Sequence, residues 1–300
     1  MIVSGILYVL GFFYLCVFIL SLVFWSLLLY GVFLIRLLFF ITPARALFLH
    51  AYVFIVETWS SINIFLIDLV YKNKWEINNP CNFNKKASYL IVSNHQSLID
   101  ILLFLYLFNR KIPMVRFFTK SQLIWVPFLG LGLWILDFPI MKRYSAAQKK
   151  RNPHLSGKDL LTAQKAVNKI RDRPLTLINF LEGTRITQEK HERQNSPFKH
   201  LLKPRAGGIA TTINSLPGKF DRILNVTIVY SDGKKKLWDF LRGKMNRLVI
   251  KVDSKPIPKE LLFGDYSTDE HYKRQFQIWV NRLWQEKDDE IDWILKRDKL

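Results

Sequence analysis

The distribution of apolar and polar residues divides this chain into two unlike parts. From residue 72 onward, short apolar runs alternate with charged, amphipathic stretches, whereas residues 1–71 are almost continuously apolar. A bilayer span needs about 20 apolar residues, and alternating strand-like and helix-like runs are typical of an α/β domain. The pattern therefore predicts an N-terminal membrane-embedded helical segment followed by an α/β fold, with a mixed sheet flanked by helices.

The apolar part is expected to form two helices with different relations to a membrane. Met1–Ile35 contains no charged side chain and predicts a transmembrane or deeply embedded helix, with a hairpin as the alternative. Pro43 breaks this segment. Residues 46–70 are also apolar, but they include Glu57 and Asp68, which would be costly in the middle of a bilayer. We expect this second helix to lie in the interface or to pack against the first.

The remainder of the chain carries the predicted α/β domain. The predicted strands are Tyr89–Ser93, Met114–Thr119, Leu136–Met141, Leu175–Leu181, Ile223–Tyr230 and Arg247–Val252. The predicted helices are Ser97–Phe108, Gln122–Trp134, Lys158–Arg171, Arg205–Ser215 and Asp269–Lys296. The predicted division is 1–42 for a transmembrane helix or hairpin, 43–75 for an interfacial helix, 76–260 for the α/β domain and 261–300 for a C-terminal helix.

Charge and cysteine content narrow the possible partners. The formal net charge is +20, yet the charged residues of the first part, Arg36, Arg45, Glu57 and Asp68, sum to zero. An apolar N-terminal segment followed by a strongly basic domain suggests attachment to an anionic membrane surface. Nucleic acid is the rival partner, but no nucleic-acid-binding motif accompanies the charge. The two cysteines form neither a disulfide framework nor a metal-binding CxxC pair.

The candidate chemistry begins at His95. It follows the predicted strand Tyr89–Ser93, and Ser97 is a plausible N-cap of the next helix. Asp100 in the first helical turn can reach back toward His95. An imidazole held by a carboxylate can act as a general base on a hydroxyl group. Taken alone, His95 could equally be a capping or packing residue, and Asp100 a favourable acid at a helix start.

Two further strand ends carry basic residues. Glu182-Gly183-Thr184-Arg185 follows the strand Leu175–Leu181, at the edge where open α/β sheets bind ligands. Arg185 offers a planar fork suited to phosphate, and Glu182 could hold Arg185 or bind a substrate hydroxyl. Arg143, after the strand Leu136–Met141, would be a second phosphate ligand. Each piece by itself could be an ordinary turn or a solvated strand end.

Together these motifs resemble the glycerolipid acyltransferase family, which includes the 1-acyl-sn-glycerol-3-phosphate acyltransferases. The resemblance rests on Asn94-His95 with Asp100, followed downstream by Glu182-Gly183-Thr184-Arg185. Lys120-Ser121-Gln122-Leu123 with Pro127 and Gly130 matches a further family stretch. The whole chain is most similar to a bacterial inner-membrane branch.

The resemblance implies a function and a set of site residues. His95 would be the general base and Asp100 its partner, while the acceptor would be held by Asn94, Arg143, Glu182, Gly183, Thr184 and Arg185. The chain would transfer a fatty acyl group from acyl-CoA or acyl-carrier protein to the sn-2 hydroxyl of a lysophospholipid. Lysophosphatidic acid, which would give phosphatidic acid, is the acceptor that the resemblance favours. No metal or other cofactor is expected. The resemblance also implies an inner-membrane location. Met1–Ile35 carries no Lys or Arg, whereas Arg36 and Arg45 follow it, so a single span would place the catalytic domain in the cytoplasm by the positive-inside rule.

Departures from the family pattern leave the identity of the acyl acceptor undetermined. Ile140-Met141-Lys142-Arg143 stands where Phe-Ile-Asp-Arg is usual, Asp137 stands near an expected Gly, and Asn225–Val229 lacks the family's Pro. The alternatives are a different acceptor, such as glycerol 3-phosphate or another lysophospholipid, or a non-catalytic basic protein that binds anionic lipid or RNA at a membrane surface.

Overall fold

The α/β part is built on one mixed sheet. The structure, a computed structural model, describes residues 2–39, 44–71, 74–141, 151, 158–220, 222–233, 236–266 and 268–298. Within them a six-stranded sheet has the order β1-β8-β7-β2-β6-β3. The strands of this sheet are β1 (Trp75–Asn78), β2 (Tyr89–Ser93), β3 (Val115–Phe117), β6 (Thr176–Phe180), β7 (Arg222–Tyr230) and β8 (Leu248–Pro256). A separate parallel pair consists of β4 (Thr119–Lys120) and β5 (Ile140–Met141).

The strand directions determine where a site can form. β2 runs parallel to both of its neighbours, β6 and β7, and β3 runs parallel to β6. β8 is antiparallel to β7, and β1 pairs with it in parallel. The central strands are apolar and buried on both faces, as is typical of sheets covered by helices. The carboxyl ends of β2, β6 and β7 therefore lie side by side at one edge of the sheet.

Helices cover the two faces of the sheet. They are α1 (Ile2–Leu38), α2 (Ala44–Tyr71), α3 (Ile99–Phe108), α4 (Gly130–Ile135), α5 (Lys158–Asn168), α6 (Gln188–Gln194), α7 (Ala206–Ser215), α8 (Leu237–Leu241) and α9 (Glu270–Arg297), with short 3₁₀ helices at Ser121–Trp125 and Lys259–Leu261. α3 and part of α2 pack on one face with the apolar residues of β7 and β8. α7 and α9 supply the core on the other face. This arrangement confirms the predicted mixed α/β class.

Most predicted elements are present, and the differences have local causes. β2 has its predicted bounds, and β6 and β7 differ from prediction by a residue or so at an end. The predicted helix over residues 122–134 is instead a 3₁₀ turn followed by α4, because Pro127 interrupts it. The predicted strand Leu136–Met141 is reduced to β5. The sequence analysis did not predict β1, α6 or α8.

Two residues of the family stretches have conformations that explain the family pattern. A Cβ added to Gly130 would lie 1.8 Å from the carbonyl oxygen of Ile124, so a side chain cannot be accommodated there. Asp137, which stands near an expected Gly, adopts a left-handed φ of 55°, a region that glycine enters without steric cost. Its carboxylate accepts a bond from Arg173 Nη2 at 2.6 Å.

α1 and α2 lie along the α/β domain. Both are long and apolar enough to cross a membrane, by length and composition. Near its start, α1 contacts α8, where the rings of Tyr14 and Phe240 meet edge to face with centroids 6.3 Å apart. Near its end, the hydroxyl of Tyr30 donates to the carbonyl oxygen of Phe128 at 2.6 Å. The predicted boundaries of the N-terminal segments stay a prediction.

Two carboxylates of α2, Glu57 and Asp68, contact residues of the α/β domain. Glu57 pairs with Lys85 at 3.0 Å, and Asp68 accepts a bond from the Tyr106 hydroxyl at 2.7 Å. The opposite side of α2 exposes large apolar residues: Leu47, Phe54, Phe65 and Leu69. The two carboxylates that looked costly in a membrane are therefore partnered by residues of the α/β domain.

Candidate active site

His95 lies at the centre of the carboxyl-end edge, on the turn between β2 and α3. Its Nδ1 is 2.8 Å from Oδ2 of Asp100, which is fully buried, while 16% of the His95 side chain is exposed. The imidazole stacks on Phe180, the last residue of β6, with centroids 4.0 Å apart. Because Asp100 binds Nδ1, Nε2 is the nitrogen that can accept a substrate proton. The expected contact between His95 and Asp100 is thus present.

Asp100 also shapes the turn that carries His95. Its Oδ2 accepts the backbone N–H groups of Gln96 at 2.7 Å and Ser97 at 3.0 Å. The helix begins at Ile99, two residues later than predicted, and the Ser97 hydroxyl oxygen accepts the Ile99 N–H at 3.3 Å. One carboxylate oxygen therefore holds both the imidazole and the backbone on which the imidazole is mounted.

Asn94 has a different role from the one that the resemblance implied. Its side chain is fully buried, and its amide donates to the carbonyl oxygen of Ile228 at 2.8 Å and accepts the Ile228 N–H at 3.0 Å. Gln96 Nε2 donates to the same Ile228 oxygen at 3.0 Å. The Asn94 amide is therefore engaged by β7 rather than open to a substrate, and it fixes the turn after β2 to the neighbouring strand.

Glu182 likewise bonds to the protein backbone. It is fully buried after β6, and its two oxygens accept the N–H of His95 at 2.9 Å and of Leu202 at 3.3 Å. Burial raises the pKa of this carboxyl to about 8, although both N–H bonds act in the opposite direction. Neither alternative from the sequence, holding Arg185 or binding a substrate hydroxyl, matches this geometry. Glu182 positions the His95 backbone instead.

The rest of the Glu182 motif is open and basic. Gly183 has a φ of 68°, the left-handed region that glycine adopts without strain, and Arg185 is exposed. Lys190 Nζ donates to Thr184 Oγ1 and to the Arg185 carbonyl oxygen, each at 2.8 Å. Arg205 passes beside Gly183, with its Cδ 3.5 Å from where a glycine Cβ would lie.

The sequence analysis singled out neither Lys190 nor Arg205 as part of the site. The signals available in the sequence were the position of Lys190 shortly after the Glu182 motif and that of Arg205 at the start of α7. Arg143, the other expected phosphate ligand, lies outside the described residues. Its part in the site stays a prediction.

The C-terminal helix completes the support of the site. Trp284 Nε1 donates to the Leu202 carbonyl oxygen at 3.0 Å, and the Asp288 carboxylate accepts the N–H groups of Lys199 and His200 at 2.7 Å each. These bonds fix the segment whose Leu202 N–H reaches Glu182. The sequence did not reveal that α9 contributes to the site, since a polar helix far along the chain carries no such signal.

A buried lysine of α9, Lys287, lies beneath the site. The Lys287 ammonium donates to the Val226 carbonyl oxygen at 2.6 Å and to Thr227 Oγ1 at 3.0 Å. Burial lowers the pKa of Lys287 to about 7, while the charge of Glu182 acts to raise it. Glu182 and Lys287 are therefore two buried ionisable groups at the sheet edge that holds His95, and burial disfavours the charged form of each.

Space for a ligand borders this constellation. A cavity of about 400 Å³ is lined in part by Gln96, Thr187, His200, Tyr230 and Ile291. Gln96 is the neighbour of His95, and Thr187 follows the Glu182 motif. The lining of the cavity therefore comes from the turn after β2, the loop after β6, the end of β7 and α9, next to His95 and Arg185 in the chain.

The fold and the site together place a hydrogen-bonded His95–Asp100 pair at the carboxyl edge of an α/β sheet. The family model described as Acyltransferase matches residues 74–229, more than half of the chain. The chain belongs to this family.

Curated relatives agree with the assignment. The lysocardiolipin acyltransferase 1 of Mus musculus is 22% identical over 82% of this chain and 64% of its own length. The 1-acyl-sn-glycerol-3-phosphate acyltransferase epsilon of Mus musculus is 24% identical over 78% of this chain and 62% of that protein. The 2-acyl-1-lysophosphatidylinositol acyltransferase of Saccharomyces cerevisiae is 26% identical over 68% of this chain and 60% of its own length. The matches thus span just under two thirds of the length of these relatives.

A solved structure shows the same fold. The crystal structure of the 1-acyl-sn-glycerophosphate (LPA) acyltransferase PlsC from Thermotoga maritima superposes with a TM-score of 0.53 at 19% identity. The match covers 96% of this chain and 95% of that one. The similarity therefore includes the N-terminal helices and α9 as well as the sheet.

Replacing Glu182 by Gln tests its positioning role. The amide would place an N–H donor against a backbone N–H of either His95 or Leu202, leaving buried donors unpaired at a cost of about 1–3 kcal/mol. We expect a lower melting temperature and a loss of acyl transfer. Glu189→Gln, on the exposed side of α6, is the matched control and should change neither. Wild-type stability and activity in the Glu182 variant would show that the carboxylate does not hold this turn.

Proposed function

We propose that the protein is a membrane-bound O-acyltransferase that moves a fatty acyl group from acyl-CoA or acyl-carrier protein to the sn-2 hydroxyl of a lysophospholipid. Lysophosphatidic acid, giving phosphatidic acid, is the first acceptor to consider. The observation that carries the proposal is the His95–Asp100 pair at 2.8 Å, at the ligand-binding edge of a sheet whose chain belongs to the Acyltransferase family.

The proposed reaction is a direct transfer. Nε2 of His95 takes the proton of the acceptor hydroxyl while the oxygen attacks the thioester carbonyl, and Asp100 stabilises the resulting imidazolium. The tetrahedral intermediate then collapses: the carbon–sulfur bond breaks, and the leaving thiolate takes the proton from His95. The products are the acylated phospholipid and the free thiol of the donor. These reaction steps need neither a metal ion nor a redox cofactor.

The acceptor phosphate has suitable partners beside this pair. Arg185 is exposed on the loop after β6, and its guanidinium can bind a phosphate in bidentate fashion. Arg205 and Lys190 add positive charge to the same loop region. We propose that these groups bind the phosphate, with Arg143 as a further ligand.

A second acceptor class has specific support. The printed names of two relatives specify lysocardiolipin and 2-acyl-1-lysophosphatidylinositol. Both acceptors carry a phosphodiester and a larger headgroup, and an open, basic loop can bind such a group as well as a terminal phosphate. The alternative proposal is therefore the same chemistry on a lysophospholipid with a larger headgroup.

The packing of α1 suggests how the protein meets the membrane. Tyr8 contacts Trp238 near the start of α1, and Phe33 contacts Trp134 near its end. The 25 residues between these contacts extend about 37 Å along a helix, more than the ~30 Å thickness of the hydrocarbon core. A transverse α1 would separate the two contacts by the bilayer, although both belong to the α/β domain. We therefore propose that α1 and α2 are embedded side-on in one leaflet. This corresponds to the deeply embedded helix that the sequence offered beside a transmembrane span or a hairpin.

An exposed apolar surface next to α1 supports the same orientation. Within the uncharged run Leu123–Leu136, the largest exposed side chains are Trp125 at 86% and Trp134 at 53%. Leu98, three residues after His95, is also half exposed. We propose that this surface enters the same leaflet on the cytoplasmic side, where thioester donors occur. A lysophospholipid could then present its hydroxyl to His95 while keeping its acyl chain in the bilayer. The inner-membrane location stays a prediction.

Loss of the general base tests the catalytic proposal. His95→Ala and Asp100→Asn should each lower the turnover of lysophosphatidic acid and acyl-CoA by about 100-fold or more, the usual weight of base catalysis. His271→Ala, on the exposed side of α9, is the control and should behave as wild type. Vesicle binding should be the same in all variants, because the net surface charge barely changes. Full turnover in the His95 variant would contradict the assignment of His95 as the general base. Vesicle binding without any turnover in the wild type would leave lipid binding without catalysis as the function.

Removal of Arg185 tests the phosphate site. Arg185→Ala should raise the KM for lysophosphatidic acid with little change in kcat, since a ground-state contact is lost. Arg222→Ala is the control, because Arg222 lies at the opposite end of β7 and bonds Ser254. A KM increase for the thioester donor rather than the acceptor would reverse the assignment of the two substrates.

Three cysteine positions test the membrane arrangement. In a Cys16→Ser, Cys81→Ser background, single cysteines before Met1, at Thr42 and after Leu300 would be labelled with an impermeant maleimide on oriented vesicles. Embedding in one leaflet predicts that all three react from the cytoplasmic side. A single span predicts the first on the opposite side, and a transmembrane hairpin predicts Thr42→Cys there. Either of these two patterns would contradict the proposed arrangement.

A further inference from the structure

Tyr230 contacts the His–Asp pair from a third strand. It is the last residue of β7 and follows directly after the residues matched by the family model. Its side chain is buried, with 3% exposed, and its hydroxyl donates to Oδ1 of Asp100 at 2.5 Å. Since Oδ2 of Asp100 binds the His95 ring and the turn backbone, Tyr230 is the partner of the second carboxylate oxygen.

A second hydroxyl continues this contact. The Ser97 side chain donates a hydrogen bond to the Tyr230 hydroxyl, and Ser97 Oγ itself accepts the Ile99 N–H. The donors therefore form a chain from the start of α3 through Ser97 and Tyr230 to Asp100. Hydrogen bonds that follow one another in a buried chain polarise and strengthen each other. Burial raises the pKa of Tyr230 well above 10, so the phenol remains a donor.

We propose that Tyr230, supported by Ser97, is a positioning residue that orients the Asp100 carboxylate and sets the proton affinity of His95. The proposal rests on the proposed function in that His95 is taken as the general base. It adds a residue that the family motifs in this sequence do not contain.

The effect of Tyr230 on His95 has a definite sign. A donor on Oδ1 withdraws negative charge from the carboxylate, which weakens its stabilisation of the imidazolium on the Oδ2 side. Removing that donor leaves more charge facing Nδ1 and favours protonated His95, so the His95 pKa should rise. The carboxylate also loses one of the contacts that fix its plane, so the alignment of the imidazole should deteriorate.

Other titratable groups surround the pair and must be held constant. Glu182 lies on the β6 side, and Lys287 of α9 lies beneath β7. Glu182 is coupled electrostatically to both Asp100 and Lys287. A phenol-to-phenyl change at Tyr230 leaves these groups in place and alters only the donor to Oδ1, so it isolates the proposed effect.

The test is Tyr230→Phe in the full chain in detergent micelles. We expect kcat to fall about tenfold, as for loss of a hydrogen bond to a charged group. The acid limb of the kcat/KM profile should move to higher pH by about half a unit or more. NMR of histidines labelled at Cε1, with His95 assigned by its disappearance in His95→Ala, should give the same upward shift without relying on turnover. Ser97→Ala should produce a smaller shift in the same direction.

Tyr272→Phe is the matched control. Tyr272 is also buried, with 5% exposed, and its hydroxyl donates to the Leu261 carbonyl oxygen and is hydrogen-bonded to the Asn214 side chain, away from the site. It should lose a similar amount of stability without moving the His95 pKa. An unshifted His95 pKa in folded Tyr230→Phe and Ser97→Ala would overturn the inference. A shifted pKa in a protein that transfers no acyl group would instead overturn the proposed function and leave the inference intact.

Discussion

The buried Asp100 carboxylate is the group on which the rest of the site depends. Its two oxygens accept bonds from the His95 ring, from two backbone N–H groups of the turn and from the Tyr230 hydroxyl. An ionised carboxylate without such donors would be expensive to bury. The donors come from the turn after β2 and from the end of β7, while Asp100 itself lies in the first turn of α3, so the carboxylate is stable only when these elements are assembled. The same interactions that make its burial tolerable also orient the His95 imidazole.

The turn that carries His95 is fixed by both neighbouring strands. On one side, Asn94 pairs with the backbone of Ile228 in β7, and on the other, Glu182 after β6 accepts the His95 N–H. Such bonding is possible because β6, β2 and β7 are parallel, which places their carboxyl ends next to each other. Buried polar side chains that bond only to the backbone hold these segments at a fixed distance, because buried backbone N–H and C=O groups must be hydrogen-bonded. The motif residues thus divide into those that hold the turn and those, such as Arg185, that remain open to a ligand.

The C-terminal helix contributes more to the site than its distance along the chain suggests. Through Trp284, α9 fixes Leu202, and Leu202 in turn donates to Glu182. Lys287 of the same helix donates to the Val226 carbonyl oxygen below the sheet edge. The family model ends at residue 229, so this support lies outside the matched region. Site geometry in this protein therefore depends on an element that could vary independently of the motifs.

The sequence alone determined the elements and residues whose signals are local. The apolar runs of β2, β6 and β7 predict buried strands because a strand covered on both faces must be apolar at nearly every position. The pairing of His95 with Asp100 follows from a five-residue separation across a helix start. Membership of the Acyltransferase family follows from two specific motifs. The uncharged first segment predicts a membrane-length helix for the same local reason. By contrast, the break at Pro127 shows that a local steric signal can outweigh an otherwise continuous apolar pattern.

Only the tertiary structure decided how these pieces act together. Asn94 and Glu182 appear as ligands of a substrate in the sequence pattern, yet their partners, Ile228 and Leu202, are supplied by distant strands and loops. Tyr230 stands 130 residues from Asp100, and the two ends of α1 meet the same domain at α8 and α4. The physical reason is that a hydrogen bond between distant residues leaves no periodicity or spacing in the chain. It arises when strand order and direction bring the two groups together, and that order is a property of the assembled sheet.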